Sequence, residues 1–198
     1  MRAVLGDAPG VQVMVSGMGQ AAARAAAKKW VPLVRAVVVC GVAGGTGGAA
    51  ETGDVVVASV VVDGAGAALP GWVTAVDVPG AITGVVASVE SPVDSAEERQ
   101  RLRDAGTLAV ETEAAAWVAA GAAHGVSVSV VRVVLDTPQR PLGPLATLVP
   151  EGARGASPLR VATLVLRPAS WRPLAQTGAL AARCERRMAM AVASVCRS

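Results

Sequence analysis

The sequence predicts an α/β fold: a three-layer, largely parallel mixed sheet flanked by helices. Two observations carry that expectation. Strand-like and helix-like stretches alternate along the chain, and residues 36–40 form a continuous β-branched and apolar run, as expected of a strand covered on both faces. The features able to do chemistry also fall just after such runs, where ligands collect in open α/β sheets.

Taken in order, residues 11–15 read as a strand, followed by a Ser-Gly-Met-Gly turn and an Ala-rich helix over 20–30. The run at 36–40 leads into a glycine-rich loop over 41–48, and residues 54–62 and 82–89 read as further strands. Ser95 followed three residues later by Glu98 is a capping box, so a helix starts there and runs through about Asp104. A short strand over 108–110 precedes a helix over 112–124, and 126–134 is another buried strand. Pro138, Pro141, Pro144 and Pro150 mark a long loop, after which helices are expected over 158–166 and 174–193. No repeat or linker divides the chain, and 198 residues suit a single domain.

Composition narrows the class further. The chain is 53% hydrophobic with no Phe and no Tyr, so its core must be built from small aliphatic side chains. Trp30, Trp72, Trp117 and Trp171 are its only large rings. Arg132 interrupts one apolar run and Glu111 and Glu113 another, leaving nothing with the roughly 20 apolar residues of a spanning helix. Asp7 comes before a signal-peptide core could form, and the expected location is cytoplasmic. Cys40, Cys184 and Cys196 have no metal-ligand spacing, and Cys40 reads as a small core residue. The net charge is +3, with Arg167, Arg172, Arg183, Arg186, Arg187 and Arg197 gathered toward the C-terminus. They read as the solvated face of a terminal helix, or else as a surface for an anionic partner or membrane headgroups. No aromatic platforms interleave with them, which argues against single-stranded nucleic acid.

Three segments could carry chemistry. The glycine-rich loop would let backbone N–H groups approach a phosphate, ribose or carboxylate, or it is simply a structural turn. It has neither the Lys-Ser/Thr ending of a P-loop nor the dinucleotide fingerprint. Glu111 and Glu113 open an apolar helix, where carboxylates favour the N-terminal dipole, yet one of the two would face the ligand crevice. Asp136 emerges from a nearly all-apolar strand as either a turn residue or an acid whose pKa burial raises. His124, the only histidine, reads as a cap or surface group, and Ser16 and Ser95 have no base partner in sequence.

Taken together, these segments resemble the nucleoside phosphorylase and nucleosidase family. Gly-Val-Ala-Gly-Gly at 41–45, with Gly-Asp-Val-Val-Val-Ala at 53–58, is similar to the family's core signature. Val-Glu-Thr-Glu-Ala-Ala-Ala at 110–116 is similar to its Val-Glu-Met-Glu segment, and Val-Val-Arg-Val-Val-Leu-Asp at 130–136 to its Arg-x-x-Ser-Asp segment. Order and spacing agree from about residue 11 to residue 136. The tail from Thr137 onward is most similar to short bacterial members associated with hopanoid lipids, which remove adenine from adenosylhopane.

The resemblance implies cleavage of a purine N-glycosidic bond, with Asp136 sharing a proton with the base at N7 and Glu113 binding the ribose hydroxyls. Thr112 stands where the family has a Met under the sugar, Glu111 supports the helix start, and Gly41, Val42, Ala43 and Gly44 line the substrate site. Arg132 orients the Asp136 loop or forms a structural salt bridge. An Asp at this position implies adenine as the leaving group. The implied partner is a small-molecule purine nucleoside, with no cofactor beyond inorganic phosphate as a co-substrate, in a homo-oligomer. Three departures qualify this. Val42 replaces a hydroxyl, Leu135 replaces the Ser before the Asp, and no strand precedes residues 11–15 as it does in the family. The expectation from the last is a start placed too late, the alternatives being an impaired form or one that pairs with another chain.

Overall fold

The computed structural model describes residues 10–71, 73–141 and 171–196. Helix α1 (Gly19–Trp30) buries Ala23 and Ala27, four residues apart on one face. Lys28 and Lys29 occupy its last turn, where cations favour the dipole, and Pro32 stands in the short 3₁₀ turn that follows. Strands β1 (Ala36–Gly45), β2 (Val55–Val62) and β3 (Ile82–Ser88) come next. Helix α2 (Ala96–Asp104) starts at the expected capping box, with the Ser95 hydroxyl accepting from the Glu98 N–H at 3.1 Å. Strand β4 (Thr107–Glu111), helix α3 (Ala114–His124), strand β5 (Ser127–Asp136) and helix α4 (Trp171–Val195) complete the described elements.

The sheet is mixed. β1 runs parallel to β5, β2 to β3 and β3 to β4, whereas β2 and β5 are antiparallel. It curls far enough for Gly44 and Gly45 at the end of β1 to pair antiparallel with Val110 and Ala109 of β4.

Period-two alternation divides the strand side chains between two cores. Val56, Val128, Val130 and Val134 pack with Ala23, Ala27, Trp117 and Val118 beneath α1 and α3. Their sequence neighbours Val55, Val57, Val131 and Val133 point the other way and pack with Cys184 and Ala191 of α4. The valine runs of β2 and β5 are thus covered on both faces, which is the three-layer arrangement the sequence predicts. Leu102 of α2 seals a third cluster with Val62, Ala87, Val89, Val93 and Val110. No helix among the described residues is long and apolar enough to cross a membrane.

Several expectations are corrected. Residues 11–15 form no strand; Val15 is 95% exposed, and β-branched propensity alone yields no strand without an edge to pair with. Residues 41–45 are not loop but the continuation of β1, because pairing with β5 persists through Gly44. β1 is also less covered than its composition suggests, with Cys40 half-buried and Val42 exposed, since β5 is its only full-length neighbour among the described strands. Of the tryptophans, Trp117 is buried and Trp30 half-buried with Lys29 over its ring at 4.7 Å; Trp72 and the Trp171 side chain lie outside the described residues. The helix expected over 158–166, and Pro144 and Pro150, also lie outside them.

Helix α3 is pressed close to β5 at Gly121. A Cβ there would lie 2.6 Å from Val128 Cγ2 and 2.7 Å from the Val126 carbonyl oxygen. Alanine gains about 1 kcal/mol of helix propensity over glycine, but overpacking against fixed backbone costs about 1–3 kcal/mol. Gly121→Ala is therefore expected to lower the urea midpoint; a variant more stable than the parent would show that α3 is not pressed so closely onto β5.

Candidate active site

The strand register gathers the chemistry-bearing residues. Gly44 is paired with Asp136 on one side and with Val110 on the other. Strands stand about 4.8 Å apart, so the ends of β5, β1 and β4 lie side by side and deliver Asp136 and Glu111 to one region. Glu113 follows as the N-cap residue of α3.

Arg132 is the hub of the glutamate side. It stands on β5 four residues before Asp136, and its side chain is only 3% exposed. Its Nη2 donates to Glu111 Oε2 in a close ion pair and lies 3.4 Å from Glu113 Oε2. Glu111 also accepts the N–H groups of Glu113 (2.9 Å) and Ala114 (3.0 Å), so it caps the start of α3 as well as neutralising Arg132. Glu113 accepts from the Thr112 hydroxyl at 2.6 Å and from the Gly19 N–H at the start of α1 at 3.0 Å. Burial would raise the Glu113 carboxyl, but Arg132, Thr112 and Gly19 outweigh it and hold the group below its ordinary value. It stands in the site as an anion.

Asp136 belongs to a separate pair. Its Oδ2 lies 2.6 Å from Nη2 of Arg99, which reaches in from α2. Burial pushes the Asp136 carboxyl up from its ordinary value, and Arg99 offsets this only in part. The expectation that Arg132 orients the Asp136 loop is therefore corrected. Arg132 is spent on two glutamates, and the guanidinium on Asp136 is that of Arg99.

The glycines of β1 serve these two arginines. A Cβ at Gly41 would lie 2.3 Å from Arg132 Nη1, and one at Gly44 3.1 Å from Arg99 Nη2. A bare strand surface is what lets each guanidinium lie against it. Gly41, Val42, Ala43 and Gly44, expected as a loop lining the substrate site, are strand paired with β5 instead. Val42 is exposed, Ala43 is buried in the core under α1 and α3, and neither is paired with a carboxylate.

Sequence reasoning missed Arg99, Gly19 and Ser88, whose hydroxyl accepts from the Ala115 N–H at 2.9 Å. A signal for Arg99 existed. It precedes Leu102 by three residues, so it shares the buried face of α2, where a charge needs a partner. Gly19 and Ser88 are brought in by tertiary packing alone.

A family model described as the phosphorylase superfamily matches residues 79–153, which span β3 to β5 and so include Arg99, Glu111, Glu113, Arg132 and Asp136. Over those residues the chain is similar to the phosphorylase superfamily. The chain is also similar to solved nucleosidases. The Helicobacter pylori 5'-methylthioadenosine/S-adenosyl homocysteine nucleosidase is 22% identical with a TM-score of 0.50, over 61% of this chain and 64% of that one. The S-adenosylhomocysteine nucleosidase of Streptococcus pyogenes is 23% identical with a TM-score of 0.52, over 63% and 66%. The corresponding enzyme of Colwellia psychrerythraea is 24% identical with a TM-score of 0.50, over 62% and 63%. The matched region thus spans less than two thirds of each of these proteins. No match was found among curated proteins. A central mixed sheet between helices, the fold of these nucleosidases, is what the likeness shows.

The lowered Glu113 carboxyl fixes a pH dependence. A group whose folded-state pKa is depressed contributes stability that is full above its ordinary value of 4.5 and is lost as pH falls through the lower folded-state value. Glu113→Gln should therefore destabilise the chain near neutrality, with the difference from the parent shrinking below about pH 4. Unfolding midpoints measured from pH 7 to pH 3 check this; a constant difference would show that the Glu113 charge is not held by its neighbours.

Proposed function

We propose that the chain cleaves the N-glycosidic bond of a purine nucleoside, with adenine as the leaving base. The observation that carries this reading is the opposite tuning of two carboxyl groups in one site. Burial raises Asp136 toward the range where it can hold a proton, while Arg132, Thr112 and Gly19 keep Glu113 ionised against its own burial. Such a divergence separates the acid from the anion. Glycosidic cleavage needs both, because positive charge grows on the ribose as negative charge grows on the departing base.

In the mechanism that follows, Glu113 accepts hydrogen bonds from the ribose hydroxyls, and its charge favours the cationic sugar. Asp136 gives its proton to N7 as the bond from C1' to the base breaks, so that the base departs neutral. Phosphate or water then adds at C1', and a proton returns to Asp136 from solvent. Glu111 acts at one remove, fixing Arg132 and the start of α3. Two observations support adenine. The resemblance gives Asp136 the base-facing position, and the Colwellia psychrerythraea nucleosidase was solved in complex with adenine. The resemblance of the tail to hopanoid-associated members extends the proposal to 5'-substituted adenosines such as adenosylhopane, acted on by a cytoplasmic homo-oligomer.

One observation favours a second reading, a nucleoside-binding member without turnover. Arg99 occupies Asp136 at 2.6 Å, and Leu135 offers no hydroxyl beside it.

Adenine release from adenosine and 5'-substituted adenosines, with and without phosphate, separates these readings. Release is expected, its dependence on phosphate names the acceptor, and Asp136→Asn should lower it by about 100-fold or more with the fold intact. Full activity in that variant would remove Asp136 as the acid. Nucleoside binding without release by the folded parent would establish the second reading.

A further inference from the structure

Arg99 has no role in the mechanism above, yet it is buried and fully engaged. Its Nε donates to the Val93 carbonyl at 3.0 Å, its Nη1 to the Gly45 carbonyl at 3.1 Å, and its Nη2 to Asp136 Oδ2 at 2.6 Å. The planar guanidinium thus bridges the segment before α2, the end of β1 and the end of β5, and Gly44 leaves room for it to lie flat. Two of the three bonds go to main-chain carbonyls, so the guanidinium stays in place whether or not Asp136 does. Such a fixed fork sets the plane and position of the carboxylate it binds.

We propose that Arg99 is the positioning residue of Asp136, pinning one carboxylate oxygen and favouring its charged form until a ligand addresses the other oxygen. The meaning of this for catalysis rests on the nucleoside-cleaving reading; the pair itself does not. The charges facing Asp136 are few. Arg99 comes from α2 and Asp94 from the segment before it, and β1 faces Asp136 with Gly44 and Gly45. Arg132, on β5 itself, is turned to Glu111 and Glu113. Without Arg99, Asp136 is buried beside the negative charge of Asp94 among the described residues, and it takes up a proton at higher pH. A bound base that draws Asp136 off the fork has the same effect, so the acid is charged with its proton when the leaving group is present.

The test is a carbon-13 carboxyl titration of Asp136 by NMR in the full chain, in the parent, Arg99→Met and Arg99→Lys. Arg99→Met should raise the midpoint by about one to three pH units, and Arg99→Lys should keep it close to that of the parent. An unmoved midpoint in Arg99→Met would overturn the proposal. A second measurement does not need that variant to fold. The Arg99 Nη2–H resonance should be resolved and slow to exchange in the parent and lost in Asp136→Asn, and identical spectra would equally overturn the pairing. Where adenine is released, the alkaline limb of the rate profile should move up in Arg99→Met with kcat falling more than KM changes. A moved titration midpoint without any release in the parent would leave the pair standing and sink the nucleoside-cleaving reading alone.

Discussion

Two buried guanidiniums resting on the bare surface of β1 organise this molecule. Arg132 and Arg99 sit beside Gly41 and Gly44, and between them they tie β5, β4, β1 and the starts of α2 and α3 into one corner of the fold. Taking a charge out of water costs several kcal/mol, and each arginine offsets that cost by pairing with a carboxylate. Removing one partner leaves the other charge buried and alone, typically a loss of about 3–5 kcal/mol. The arrangement is therefore all or nothing, and it holds the residues with catalytic chemistry in register.

The same economy of charges sets the ionisation of the site. Glu111 and Glu113 share one arginine, and Glu113 adds a hydroxyl and a backbone N–H, so its charge is secured against burial. Asp136 has one arginine and a negative neighbour in Asp94, and burial prevails. Two carboxyl groups of one corner are thus shifted in opposite directions because their surroundings differ. A reaction that moves positive charge onto a sugar and a proton onto a base needs that asymmetry.

Much of the fold was legible in sequence. The valine runs of β2 and β5 mark strands covered on both sides, and the Ser95–Glu98 capping box places α2 to the residue. Glu111, Glu113, Arg132 and Asp136 are each legible as charges set in apolar runs. What escaped depends on partners. Residues 11–15 have the propensity of a strand but no edge to pair with, while residues 41–45 look like a loop and are held as strand by β5. Which arginine meets which carboxylate is a matter of the curl that brings Gly44 beside Val110, and sequence spacing does not encode it. Only the pairing of Arg99 with Leu102 on one helix face hinted that a second buried charge needed a home.

The most direct measurement of the central claim is a crystal structure of the chain with a non-cleavable adenosine analogue. The account predicts the base against Asp136, with that carboxyl drawn toward the ring nitrogens, and the sugar hydroxyls on Glu113 while Arg132 keeps its grip on Glu111. A nucleoside bound elsewhere, or a sugar that leaves Glu113 untouched, would contradict it.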